Sequence, residues 1–408
     1  GAEANRYLTP YGKKIGPDPA SINSAKIGGI VSNNACGMAS GITGNSMGTV
    51  CGMRLIFYDG TVLDTRDQDS RSTFLKEKKE MVDQIMNLSQ ALKSEPETVA
   101  RIRRKYQIKN TTGYSVSALV NFDDPIEIIQ HLMIGSEGTL GFISEVTFRT
   151  LDEPTLKATG LMLFPDIAKA CEAVLVLKEC RVSAAELMDR VSLRSVEDKP
   201  GMPSYIKELG GAVTALLVET AADDPAILQQ QVDEINARFA DFPMAREFEF
   251  STSPDKQADL WNIRKGLFPS VCIARRKGTT VIIEDIAVPI ENLRDCLLDL
   301  QALFGKYDYE DTIIWGHVFD GNVHFVITPD MADSAQIDKY KAFMEELASL
   351  VVGKYDGSLK AEHGTGRNMA PFVRREWGDR IYGVMQEIKA IFDPDRMLNP
   401  GVIINDDP

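Results

Sequence analysis

Apolar positions along this chain recur with two periods, and the switches between those periods mark out the elements. Residues from about 73 to 105 are highly charged, yet Phe74, Met81, Ile85, Leu88 and Leu92 fall at helical spacing until Pro96 interrupts the run. Just upstream, Arg54-Leu55-Ile56-Phe57-Tyr58, the turn Asp59-Gly60 and Thr61-Val62-Leu63 read as a β-hairpin. A helix over 125–132 leads into Ile134-Gly-Ser-Glu-Gly-Thr-Leu-Gly-Phe-Ile-Ser-Glu-Val-Thr-Phe148, a glycine loop that feeds a strand. Asp152-Glu153-Pro154 marks a boundary. Beyond it the pattern predicts strands at 158–164, 213–219, 281–288, 312–317 and 323–328, and helices at 167–178, 226–240, 255–274, 290–303 and 334–352. Short strands bounded by turn residues favour an α+β sheet covered by helices on one face. A last helix, about 378–391, ends at Asp393-Pro394, and Leu398-Asn399-Pro400-Gly401 makes a terminal turn. No internal repeat is visible.

A chain of 408 residues is too long for one small core, which implies two domains. Its 44% hydrophobic and 25% charged residues are ordinary for a globular protein. No apolar run approaches the roughly 20 residues that span a bilayer and no signal peptide is visible, so no transmembrane segment is expected. The formal net charge of -14 argues against nucleic acid and anionic membrane surfaces as partners. An anionic substrate would need positive charge concentrated locally. Cys36, Cys51, Cys171, Cys180, Cys272 and Cys296 form no CxxC pair and read as reduced, buried small residues in a cytoplasmic protein.

Three of the four histidines fall in two segments, Trp315-Gly-His317-Val-Phe-Asp-Gly-Asn-Val-His324 and Ala361-Glu362-His363-Gly-Thr-Gly. Asp320-Gly321 reads as the tip of a turn between short strands, which would bring His317 and His324 near each other. With Glu362 from the other segment they supply two imidazoles and a carboxylate. That set suits Zn, Mn or Fe with a position left open for substrate. His363 is then the candidate general base, and Asn322 a group that orients the site. Arg264, on an amphipathic helix, is the candidate carboxylate clamp, because a guanidinium binds carboxylate bidentately. A structural salt bridge is the other reading of Arg264. Arg275-Arg276-Lys277 reads as a solvated turn, His131 as structural, and Trp261 and Trp315 as core.

Pro17-Asp-Pro-Ala-Ser21 precedes Ile27-Gly28-Gly29-Ile-Val-Ser-Asn33-Asn34-Ala35-Cys36-Gly37, and Gly135-Ser136-Glu137-Gly138-Thr139-Leu140-Gly141 is a second glycine loop. Glycines let backbone N–H groups approach a phosphate. Neither segment is a G-x-G-x-x-G after a strand or a P-loop with its lysine, so Rossmann and nucleotide-hydrolase readings fail. Each alone reads as a tight turn. Taken in order, PDPAS, IGG, NNACG, Lys109-Asn-Thr-Thr-Gly-Tyr114 and IGSEGTLGFISEVTF resemble the FAD domain of FAD-linked oxidases of the vanillyl-alcohol oxidase (VAO/PCMH) type. The nearest relatives are D-lactate, glycolate-oxidase-subunit and D-2-hydroxyglutarate dehydrogenases. The resemblance continues through Ala185-Glu186-Leu187-Met188-Asp189, Leu260-Trp261-Asn-Ile-Arg264, both histidine segments and DPDRMLNPG, and covers nearly the whole chain.

This resemblance implies an α+β protein. Residues 1–152 would be the later part of an FAD-binding domain, 153–375 a ferredoxin-like substrate cap, and 376–408 a helix and turn returning to the FAD domain. Pro17, Ser21, Gly28, Gly29, Asn34, Gly37, Gly135, Ser136, Gly138, Thr139, Gly141 and Ile143 would hold FAD. A divalent metal on His317, His324 and Glu362 would engage the substrate hydroxyl and carboxylate. His363 would take the hydroxyl proton while the Cα hydrogen leaves as hydride to flavin N5. The implied substrate is a small 2-hydroxy acid. The implied electron acceptor is a quinone, cytochrome, electron-transfer flavoprotein or iron–sulfur domain, reached from the cytoplasm or from the periphery of the inner membrane.

The chain departs from the family pattern in several places. Members carry a first FAD subdomain with an R-G-x-G-T/S loop, and the chain begins after it. The resemblance therefore implies a fragment that binds FAD weakly and is inactive alone, with Gly1 a scar and Asp406-Asp407-Pro408 a second cut end. Thr43-Gly44-Asn45-Ser46-Met47-Gly48 stands where the family has Tyr-Gly-x-x-Arg-Asp. Cys36 and Phe319 each replace a family glycine. Ile283 replaces a lysine two residues before Asp285, so a second substrate carboxylate is less well provided for. Two other functions stay open: a flavin-independent metallohydrolase using His317, His324 and Glu362, and a non-catalytic binding module on an oxidase fold.

Overall fold

The computed structural model describes residues 1–38, 41–199, 202–309 and 311–405, so the tail Asp406-Asp407-Pro408 lies outside the described residues. The chain divides into two compact units, Gly1–Asp152 with Gly357–Pro408, and Glu153–Asp356.

The first unit carries β1 (Lys13–Lys14), β2 (Val50–Ile56), β3 (Val62–Asp64), β4 (Phe142–Phe148) and β5 (Leu151–Asp152). β2 and β3 form the predicted hairpin, closed by Phe57 N donating to Thr61 O at 2.9 Å, and β4 pairs on the other side of β2. The charged stretch that follows is three helices, Gln68–Glu77, Lys79–Lys93 and Pro96–Lys105. Asp67 caps the first, accepting from Asp69 N at 2.9 Å. Pro96 opens the third, where its missing N–H leaves nothing unsatisfied. Their apolar faces join Leu55, Leu63, Ile126 and Ile129 in one core, completed by Ile388 and Phe392 of the helix Val373–Phe392. That helix is interrupted at Gly378 (φ 76°, ψ 168°), so its long regular part begins where the periodicity placed it. Residues 357–375 group with this unit rather than with the preceding 153–356, because the strand-like run after Gly357 is hydrogen-bonded to residues 105–113. Lys105 Nζ donates to Gly357 O (2.5 Å), Thr111 N to Lys360 O (2.7 Å) and Gly113 N to Thr365 Oγ1 (2.7 Å).

The second unit is built on β6 (Leu156–Phe164), β7 (Ala184–Met188), β8 (Thr214–Ala222), β9 (Phe250–Ser251), β10 (Ile282–Ala287), β11 (Ile313–His317) and β12 (Asn322–Ile327). They form a seven-stranded sheet in the order β10-β12-β11-β7-β8-β6-β9, every neighbouring pair antiparallel. Helix Ile167–Leu177 links β6 to β7, and β8 returns between them; Pro225–Phe239 then leads to β9 on the far side of β6. This is a ferredoxin-like β-α-β-β-α-β unit. The second half repeats the idea: helix Leu293–Lys306 links β10 to β11, and β12 returns between them. The two halves meet through their second strands, β7 and β11. A repeat of topology is thus present where no repeat of residues was visible, because connectivity recurs while side chains do not.

Helices cover both faces of this sheet, not one. Leu161 and Leu163 of β6 pack with Leu193, Ile263 and Leu267 on one side. Phe164, pointing the other way, meets Phe239 at 6.3 Å between ring centroids, and Phe325 of β12 meets Phe304 at 5.1 Å. Burial on both faces explains why β6 is buried at seven consecutive positions, 158–164, instead of alternating. The predicted helix 255–274 is two, Pro254–Lys265 and Leu267–Ala274, joined at Gly266; the stretch 290–303 opens with a tight turn before Leu293–Lys306; and 334–352 is Ser334–Ala348 followed by a wider turn.

Asp189 follows β7 and caps the helix Arg190–Arg194, accepting from Ser192 N at 2.7 Å. Burial pushes its carboxyl up to about 6 against the hydrogen bonds from Ser192, which favour the charged form. A raised carboxylate pKa gives stability that is full below the ordinary value of 3.8 and is lost as pH rises through about 6. Asp189→Asn, which caps about as well, should therefore be more stable than wild type at pH 8 by on the order of 2 kcal/mol. The difference should vanish toward pH 4 in denaturant unfolding; a pH-independent difference would contradict the assignment.

Candidate active-site residues in each unit

In the second unit the register puts acids opposite histidines. Glu186 of β7 faces His317 of β11, and Asp285 of β10 faces His324 of β12. Cross-strand partners are close enough for their side chains to meet. His317 Nδ1 lies 2.6 Å from Glu186 Oε1, and His324 Nδ1 lies 3.1 Å from Asp285 Oδ1. The turn Val318–Asp320, closed by Gly321 (φ 62°), brings the two rings edge to face at 5.1 Å, with a ligand nitrogen of each within 4.8 Å of the other's. The spacing of the sequence thus delivers the imidazole pair it implied. Phe319 is accommodated in that turn.

Asn322 donates to Asp285 Oδ1 (2.7 Å) and to Ile286 O (3.0 Å), which fixes the acid beside His324. Arg264 donates through Nε to Glu186 Oε2 at 2.7 Å. The structural reading of Arg264 is thus met: its Nε edge is a buried ion pair. Burial opposes charge on Glu186, which has no exposed surface, but the His317 imidazole and the Arg264 guanidinium overcome it and hold the carboxyl below the usual carboxylate range. Glu186 lies in the Ala185–Asp189 motif and Asp285 is named only beside Ile283, and the sequence assigns neither a role. Their signal was an acid placed one strand away from each histidine, visible only once the strand order is known. Trp315 lies in the core and Trp261 packs against it, its Nε1 donating to Glu219 at 2.8 Å, as expected of core residues. Arg276 of the basic run is exposed and pairs with Asp330 at 3.0 Å.

In the first unit, Glu362 Oε2 accepts from the buried Lys109 Nζ at 3.0 Å, and Lys109 also donates to Gly37 O at 3.3 Å. Lys109 was not singled out; its signal was a lone cation inside a motif otherwise made of polar and small residues. His363 Nε2 lies 3.9 Å from Glu362 Oε1, and its carbonyl accepts from Asn33 Nδ2 at 3.1 Å. His131 is structural: it stacks on Phe122 at 4.0 Å, its Nδ1 lies 2.7 Å from Glu127 O, and burial lowers its basicity.

The glycine segments differ from simple loops. Gly28 and Gly29 open a helix, Ile27–Asn33, which Asn34 ends in a left-handed conformation (φ 49°). Asn34 Oδ1 accepts from Met47 N at 3.2 Å. Gly37 is packed so tightly against Asp18 that a Cβ would lie 2.0 Å from its carbonyl oxygen, and that contact holds the Pro17–Ser21 segment, with Pro17 buried and Ser21 exposed. In the second loop the hydroxyls of Ser136 and Thr139 turn inward, to Met133 O (2.8 Å) and Ser136 O (2.7 Å). Gly141 packs on Met133 and Ile143 points into the core. At Gly29 and Gly138, by contrast, a Cβ would meet nothing within 4 Å, so the backbone there is open to a ligand. Any phosphate contact in these segments falls to main-chain N–H groups more than to the hydroxyls.

No disulfide joins the cysteines among the described residues; Cys36, Cys171 and Cys296 are buried, whereas Cys51 is exposed. No helix among them is long and apolar enough to cross a membrane.

Residues 153–403 match the family described as FAD linked oxidases, C-terminal domain, and residues 1–66 match an FAD binding domain. The chain is 26% identical to D-2-hydroxyglutarate dehydrogenase of Pantoea ananatis over 98% of its own length and 40% of that protein's. It is 24% identical to the mitochondrial D-lactate dehydrogenase (cytochrome) of Kluyveromyces lactis, over 100% and 61%. It is also 24% identical to glycolate oxidase subunit GlcD of Bacillus subtilis, over 94% and 69%. The chain therefore spans from two fifths to three fifths of the first two relatives. Among solved structures, an alkyldihydroxyacetonephosphate synthase shares the fold with a TM-score of 0.59 at 14% identity, covering 98% of this chain and 62% of that one. With the family match extending over more than half of its residues, this chain belongs to the FAD-linked oxidases, flavoprotein oxidoreductases with an FAD-binding segment ahead of an oxidase C-terminal domain.

Proposed function

We propose that the protein is an FAD-dependent dehydrogenase that oxidises a small 2-hydroxy monocarboxylate to the 2-oxo acid. The observation that carries this reading is the pair of carboxylate–imidazole contacts on the sheet of the second unit. The carboxylate at Nδ1 of His317 favours the proton there and leaves its Nε2 as a ligand atom, and Asp285 lies beside Nδ1 of His324. His317, His324 and Glu362 would hold a divalent ion, Zn, Mn or Fe, and two imidazoles with one carboxylate suit it. FAD would lie along the open backbone at Gly29 and Gly138, in segments completed by Pro17, Ser21, Gly28, Asn34, Gly37, Gly135, Ser136, Thr139, Gly141 and Ile143. When bound, FAD supplies the two-electron acceptor and the ion a Lewis acid for substrate oxygens.

The chain's own residues position the substrate and move the proton. Arg264 clamps the substrate carboxylate through its Nη edge, and Glu186, bonded to Nε, fixes the plane of the fork. His363 takes the proton from the substrate hydroxyl, the role for which an imidazole is suited near neutral pH. Asn322 holds Asp285 and through it His324. The relatives named for D-lactate, glycolate and D-2-hydroxyglutarate point to a 2-hydroxy acid. Ile283, packed against the apolar core, offers no cation to a second carboxylate, which favours a monocarboxylic acid. Electrons would leave through a quinone, cytochrome, electron-transfer flavoprotein or iron–sulfur partner. The FAD-binding match at the start of the chain favours redox chemistry over a metallohydrolase built on the same ligands.

A screen of D- and L-2-hydroxy acids with the full-length, FAD-loaded protein and an artificial dye acceptor tests the reading. Lactate or glycolate should reduce the dye, and 2-hydroxyglutarate far more slowly; failure of every 2-hydroxy acid would overturn it. Glu362→Ala should lower the bound-metal content measured by atomic emission, and an unchanged content would refute the ligand role.

A further inference from the structure

Four of the motifs converge, within the first unit, on one residue that none of the preceding roles uses. Glu137 sits in the second glycine loop with φ 51°, between Gly135 (φ 78°) and Gly138 (φ 69°). Its N–H donates to Ser32 O at 2.8 Å, in the segment that runs into Asn33-Asn34. Its carbonyl accepts from Asn399 Nδ2 at 2.8 Å, in the terminal turn. Its carboxylate accepts from Thr365 N at 2.5 Å and from Gly366 N at 3.2 and 3.1 Å, in the segment that carries Glu362 and His363. The peptide between them is shaped to receive it. At Gly364 (φ 79°) a Cβ would lie 3.0 Å from Glu137 Oε1 and 3.3 Å from Asn33 Nδ2, the group that also holds the His363 carbonyl.

A left-handed backbone is the conformation glycine adopts freely and other residues adopt at a cost. A turn that needed only this shape would be served better by glycine, as at its neighbours. The side chain must therefore supply something the backbone does not, and its carboxylate accepts hydrogen bonds from the two amides beyond His363, with the Lys360 cation favouring its charged form. We propose that Glu137 is a positioning residue, which ties the flavin-side loop 135–141 to the loop 362–366 and so sets the place of His363. The proposal rests on the reading of His363 as the base.

The deciding variant is Glu137→Gly, which removes the carboxylate while relieving the backbone, so loss of folding is not the expected outcome. Hydrogen exchange resolved to single amides should speed up at Thr365 and Gly366 by about 10-fold or more, because an amide that loses its partner also loses its protection. The Gly364 amide, which donates to Thr111 Oγ1 at 3.1 Å, should change far less and serves as the internal control. Glu137→Gln keeps one acceptor oxygen and should restore most of the protection. In dye-coupled assays Glu137→Gly should lower kcat by roughly 10²-fold at little cost in KM, the size of effect that follows misplacement of a catalytic group by about 1 Å. Unchanged exchange at Thr365 and Gly366 would overturn the proposal, and so would faster exchange with undiminished kcat. Failure of the underlying reading has a different signature: wild-type kcat in His363→Ala, with the exchange results standing.

Discussion

Replacing His363 with alanine should slow reduction of the bound flavin by roughly 10²–10⁴-fold, the range that follows loss of a general acid–base group. Three of the four imidazoles are otherwise engaged. His131 is stacked on Phe122 and bonded to its own helix. His317 and His324 each turn Nδ1 toward a buried acid, which suits them to hold an ion and not to exchange protons with substrate. His363 is the one left, on a loop whose carbonyl is fixed by Asn33 and whose following amides are fixed by Glu137. Because the proposed clamp, Arg264, is left in place, the half-saturating substrate concentration should move little. Anaerobic stopped-flow mixing measures both quantities, and a near-wild-type rate would remove His363 from the chemistry.

Glu186→Ala should strongly destabilise the second unit. One carboxylate with no exposed surface serves both His317 and Arg264. Removing it strands a guanidinium whose side chain is only 12% exposed, and breaking a buried pair from one side costs about 3–5 kcal/mol. Glu186→Gln should also lose stability, because its amide presents a donor to one of two partners that both need an acceptor. The sign with pH follows from the depressed pKa of Glu186: its contribution is present above the ordinary value of 4.5 and is lost as pH falls through the lower folded value. The gap between wild type and variant should narrow in acid. The same substitution should weaken metal binding about 10–100-fold through misoriented His317. Denaturant unfolding with a loss below about 1 kcal/mol would show that the pair is not the keystone the geometry implies.

Much of the architecture was legible because it rests on local rules. The Asp59-Gly60 hairpin, the helix entered at Pro125 and the glycine loop feeding β4 each carry their own turn or cap chemistry. β7 was missed as a strand because Ala-Ala-Glu-Leu-Met is made of helix formers, and its strand state comes from neighbours on both sides in the sheet. The break at Gly266 was missed because apolar residues stay in phase on either side of it. For the site, residue types and short-range spacing revealed His317 and His324. The acids that orient them, Glu186 and Asp285, lie 131 and 39 residues away from their partners in sequence and become neighbours only through strand order. Lys109 beside Glu362 and Glu137 beside Thr365 escaped for the same reason: a sequence separation of more than two hundred residues leaves no periodic trace.

The central claim is that this chain's imidazoles and acids serve oxidation of a 2-hydroxy acid by FAD. Anaerobic addition of lactate or glycolate to the full-length, FAD-loaded protein, following flavin absorbance before and after chelation, tests it most directly. The account predicts rapid bleaching in the metal-replete protein, slow bleaching after chelation, and recovery on adding back Zn or Mn. Flavin that stays oxidised with every 2-hydroxy acid, in metal-replete protein, would contradict it.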